Sequence, residues 1–141
     1  MSGVLPVHET TVRLFLHIVA ATVWVGGQLV LSALVPAVRR AGGRESTRVV
    51  ARRFQLVAWP AFAVLVATGI WNLAAVHVGD QSDAYRTTLI VKLVLVAVSG
   101  AGALGHILLA RRRHAVGGVL AGFALLAALG ATFLGVLLTT G

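Results

Sequence analysis

The stretch LFLHIVAATVWVGGQLVLSALVPAV, residues 14–38, carries one histidine, one tryptophan and a glycine pair inside a run of about 25 largely apolar residues. A helix needs about 20 such residues to cross a hydrocarbon core. The run is therefore long enough to span. It also exceeds the roughly 7–15 residues of a signal-peptide core, and its arginines follow it instead of preceding it, so it reads as a retained helix. Three further stretches, 54–75, 89–110 and 115–138, have the same character. Strict apolar/polar alternation is absent and the segments are about twice the length of a barrel strand, which disfavours membrane-spanning strands. The expectation is an all-α, polytopic membrane four-helix bundle, with residues 1–141 as one domain.

Composition agrees. Of 141 residues, 58% are hydrophobic and only 11% charged, with a mean hydropathy of +0.94, outside the range of ordinary soluble domains. No cysteine is present, which removes disulfides and thiolate metal sites. No phosphate-binding glycine loop and no serine, histidine and carboxylate set at one depth can be found, so hydrolytic chemistry has little support.

The net charge of +8 has a topological reading. Arg39, Arg40, Arg44, Arg48, Arg52 and Arg53 lie between the first two apolar segments, and Arg111, Arg112 and Arg113 between the last two. Basic connectors stay in the cytoplasm. Both termini are thereby expected outside a multi-pass protein of the cell membrane. The arginines are expected to contact anionic lipid, and nucleic acid is not an expected partner. Glycines in every span point to close helix packing, and the glycine-rich fourth segment offers a homodimer face. Pro60 is expected to bend the second segment.

Ionisable residues at depth are functional candidates by default. His17 and Trp24 stand seven apart and share a helix face with Ala21 and Gln28. Lys92, Ser99 and His106 form a second line at the same spacing. Such stripes belong toward other helices. His8 and His114, near the ends of the apolar segments, suit solvent or lipid headgroups.

The pattern His17, Trp24, Gly26-Gly27, then Arg52-Arg53-Phe54, Thr68-Gly69-Ile70-Trp71 and Lys92-Leu93 resembles the membrane domain of the copper resistance protein D family. Trp59-Pro60-Ala61 ahead of Thr68 is also similar to the related haem-binding bacterial protoporphyrinogen oxidase membrane family. The resemblance covers the first three segments. It implies a small helical bundle associated with copper uptake in one branch and with b-type haem redox chemistry in the other.

Ligand chemistry favours haem b, with copper as the alternative. Copper(I) passage relies on soft sulfur ligands, and the chain has no cysteine and only an initiator methionine. Copper would then depend on imidazoles, with His8, Glu9, Asp80 and Asp83 as outer ligands. Haem calls for imidazole, small residues beside the macrocycle, aromatic walls and cations for the propionates. His17 is the candidate axial ligand, Trp24 and Trp71 the walls, and Lys92, Arg86 or Arg13 the propionate partners. At about 1.5 Å per residue, His17 lies roughly 8 Å deep and His106 about 25 Å. Ligands of one iron stand only about 4 Å apart. His77 is thus the better partner for His17, and His106 belongs to a second site, a dimer partner or packing. The resulting expectation is a membrane electron-transfer protein with His ligation near the outer face, serving a quinone or another redox partner. A structural subunit of a larger complex is the third reading.

Overall fold

A computed structural model describes residues 6–109 and 114–140. The described residues are helical, without strands. Helix α1, Glu9–Ala21, passes through a single π-helical turn, Thr22–Gly26, into α2, Gly27–Ala75; α3 is Asp83–Leu109 and α4 is His114–Thr140. A short 3₁₀ turn, Val78–Asp80, precedes α3. Among the described residues, three helical stretches have the length and hydropathy to cross a membrane: Glu9–Ala75, Asp83–Leu109 and Val116–Thr140.

Three stretches replace the four separate helices expected. The arginine-rich segment between the first two spans is helical instead of a loop, interrupted only at Gly43, whose φ of 70° and ψ of −161° leave the helical region. Arginine and alanine are good helix formers, so a basic segment that need not sit in lipid keeps its helix. Gly43 has the one positive φ among the described residues, a conformation that a Cβ opposes. The chain reverses there. A straight helix would hold His17 and Thr68 about 75 Å apart at 1.5 Å per residue, yet their side chains are hydrogen-bonded. Residues 9–42 and 44–75 are thus antiparallel arms of one helical hairpin. Pro60 sits inside the second arm without taking the backbone out of helical dihedrals.

The chain gathers into two compact units, Met1–His77 and Val78–Gly141. In the first, Gly27 faces the Phe54 ring so closely that a Cβ would overlap it. Trp24 packs edge-on against Trp59 at 5.6 Å and, with the rings tilted by 37°, against Phe62 at 4.3 Å. These contacts tie the π turn to the second arm.

In the second unit, α3 and α4 are antiparallel neighbours. A Cβ on Gly102 would meet the Leu120 carbonyl and the Ala124 methyl at 3.2 Å, and one on Gly130 would meet Leu95 at 3.0 Å. Ala124, Ala127, Ala128 and Ala131 are buried at helical spacing on α4. Small residues here permit backbone approach, as expected in lipid, where apolar area alone does not drive helices together. Gly118 and Gly122 differ: a Cβ on either meets nothing within 4 Å. Arg111–Arg113 and the His114 side chain lie outside the described residues.

Large apolar side chains point outward throughout: Phe15, Phe123 and Phe133 are each more than 60% exposed. Water would penalise this surface, whereas acyl chains accept it.

Candidate functional site

Four residues on one face of the first arm build the candidate site, starting from Arg13. Arg13, His17, Ala20 and Trp24 follow at intervals of four, three and four. Arg13, Ala20 and Trp24 are buried and His17 is half-buried. Across the hairpin, Thr68 is buried at 4% exposure. Its hydroxyl lies 2.8 Å from His17 Nδ1 and donates to the Val64 carbonyl at 2.7 Å, with the Leu65 carbonyl at 3.1 Å. With its hydrogen on a backbone acceptor, the hydroxyl oxygen can receive Nδ1–H from the imidazole. In a neutral ring this pairing selects the Nδ1–H tautomer. Metal-binding histidines are commonly oriented by such a second hydrogen bond.

Gly69 lies beside the ring. A Cβ at this position would touch the imidazole Cε1 at 3.7 Å. About two turns beyond His17, toward the N-terminus, the Trp71 indole donates to Glu9 Oε1 at 3.1 Å. The π turn that carries Trp24 widens the helix locally, and such turns recur at functional sites. Thr22, at its start, donates back to the Ile18 carbonyl at 2.9 Å, a local competitor of the helical ladder.

The singled-out motifs therefore meet in pairs across one hairpin: His17 with Thr68 and Gly69, Trp24 with Trp59, Gly27 with Phe54, Glu9 with Trp71. Comparison with protein-family models, curated proteins and solved structures found no match.

Other candidates stand elsewhere. His77 is exposed, just past the end of α2 and nine residues beyond Thr68, which is about 13 Å further along the arm at helical rise. The hairpin does not bring it level with His17. Trp71 is 40% exposed and engaged by Glu9, while Trp24 packs inside the aromatic cluster.

Three candidates belong to the second unit. His106 donates Nδ1–H to the Gly117 carbonyl at 2.7 Å, a cross-link between α3 and α4. Lys92 is half-buried, and its Nζ would stand 3.2 Å from a Cβ on Gly135. Ser99, between them in sequence, is 1% exposed. The line of Lys92, Ser99 and His106 thus turns inward, as its spacing predicts. Arg86 is occupied by its own turn: Nε donates to Val78 O at 3.2 Å, Nη2 donates to Gly79 O, and Nη1 pairs with Asp83 at 3.5 Å. Among the described residues no three His, Asp or Glu side chains gather as a metal site.

Sequence reasoning missed three features: the π turn, the Thr68 anchor and the burial of Arg13. The Thr68-Gly69 pair opposite an intramembrane histidine was the one available signal.

Proposed function

We propose that the chain is a four-pass membrane protein, with its arginine-rich turns in the cytoplasm, that binds b-type haem through His17 and takes part in electron transfer. The reading starts from the resemblance to the haem-binding branch. The observation that carries it is the 2.8 Å hydrogen bond between His17 Nδ1 and the Thr68 hydroxyl, which orients an intramembrane imidazole across the hairpin.

The donor chemistry of the hairpin fits the group. An oriented imidazole has a glycine beside it, and Arg13 lies one turn toward the N-terminus as a cation. Haem, when bound, supplies one-electron chemistry. The protein contributes orientation and electrostatics: Thr68 orients the ring, and Trp24, Trp59 and Phe62 stiffen the helix that presents it.

The test is the absorption spectrum of the full-length protein from haem-sufficient cells, beside His17→Ala and His106→Ala. A Soret band lost in His17→Ala and retained in His106→Ala supports the reading. A wild-type protein that is folded but takes up no haem would overturn it. Bound copper, with copper accumulation in expressing cells, would favour the copper alternative. Loss of folding without any bound group in wild type would favour a structural subunit, which the His17–Thr68 and His106–Gly117 cross-links would serve equally well.

A further inference from the structure

Arg13 presents an unsolved charge. It sits within a helix of membrane-spanning character, 9% exposed, and its Nε is buried without a hydrogen-bond partner. A buried guanidinium is costly unless a counter-charge and acceptors meet it. The nearest acid along the helix is Glu9, one turn earlier, and the Trp71 indole donates to its carboxylate. The one ion pair among the described residues is Arg86 with Asp83, so no described carboxylate is paired with Arg13. The residue as a whole is also far less exposed than the arginines flanking Gly43.

From this we infer that Arg13 is the floor of an oxyanion site in the first hairpin, taking a carboxylate or phosphate from outside the chain. A guanidinium offers a planar fork of donors that matches either group. Arg13 is the fifth residue of α1 and lies far along the chain from the arginine-rich turn, so the anion enters at the hairpin's open end. Two sources share this chemistry: the phosphate of a membrane phospholipid, and a propionate of haem held by His17 one turn deeper. Only the second rests on the haem reading. The first stands without it.

The test uses the full-length protein in a nonionic detergent, with two pairs of probes. In the first pair, native mass spectrometry compares retention of phosphatidylglycerol with that of diacylglycerol, which lacks the phosphate. In the second, titration compares haem with haem dimethyl ester, whose carboxylates are blocked. Wild type is expected to prefer the anionic member of at least one pair by about tenfold or more, the range of a charge-assisted hydrogen bond. The pair that discriminates names the source. Arg13→Gln should abolish that preference, Arg13→Lys should keep part of it, and Arg48→Gln, on the exposed turn, should leave it intact.

Equal retention within both pairs by wild type would overturn the proposal, and that result needs no variant to fold. Preference that survives in Arg13→Gln would overturn it as well. A protein that binds neither haem nor its ester but still selects phosphatidylglycerol through Arg13 refutes the haem reading and upholds the site.

Discussion

Replacing Thr68 by valine tests the central hydrogen bond with little change of volume. Valine keeps the branched shape, so packing loss is small, and the change removes one acceptor for His17 Nδ1–H and one donor to the Val64 carbonyl. The second loss is mild, because that carbonyl belongs to the helix's own ladder. The first links two arms across 51 residues, between a buried hydroxyl and a half-buried ring, at 2.8 Å. Interhelical side-chain bonds in membrane proteins couple by about 0.6 kcal/mol on average and about 1.7 kcal/mol at most. Short geometry and burial put this one in the upper half, about 1–1.5 kcal/mol, close to a tenfold change in the folding equilibrium.

The assay is a double-mutant cycle of Thr68→Val and His17→Leu, read by detergent-titrated unfolding of the purified protein. Nitrogen-15 shifts of the histidine ring give an independent readout. Wild type should show His17 as the Nδ1–H tautomer, and Thr68→Val should release it to a mixture. A coupling below about 0.3 kcal/mol, within the scatter of independent sites, together with an unchanged tautomer, would refute the claim that Thr68 sets the ring's chemistry.

Gly43→Ala should destabilise the hairpin by about 1–2 kcal/mol in the same unfolding assay, because alanine resists the positive φ of the reversal even though its methyl has open space. Gly102→Ala should cost about 1–3 kcal/mol, since its methyl meets a backbone carbonyl and Ala124 at 3.2 Å, whereas Gly122→Ala should be neutral or slightly stabilising; equal effects would contradict the α3–α4 packing described. His106→Leu should lower stability by about 0.5–1.5 kcal/mol through loss of the bond to Gly117 O, with no effect on any bound haem; a lost spectrum would move the ligand to the second unit.

Much of this architecture was legible in one dimension. Runs of about 20 apolar residues can be solvated only by lipid, and in lipid a backbone must satisfy itself, so helix follows from hydropathy without any knowledge of contacts. The sevenfold spacing of His17 with Trp24, and of Lys92, Ser99 and His106, also placed each set on one face. Where the first span ended was not legible. Arginines mark the membrane boundary equally well from a loop or from a helix that continues past it, and only the φ of Gly43 fixed the reversal at a single residue.

Partnership is what the tertiary structure alone decided. The composition of the first arm made His17 an inward-facing imidazole, but which nitrogen carries the proton depends on a hydroxyl 51 residues away and on that hydroxyl's own acceptor. The same distinction separates Arg86, satisfied by carbonyls of its own turn, from Arg13, buried with an unmet Nε. Side-chain type and helical period fix the direction in which a group points; the hydrogen bonds it makes depend on the register of the opposing arm, and that register emerges only when the two arms pack.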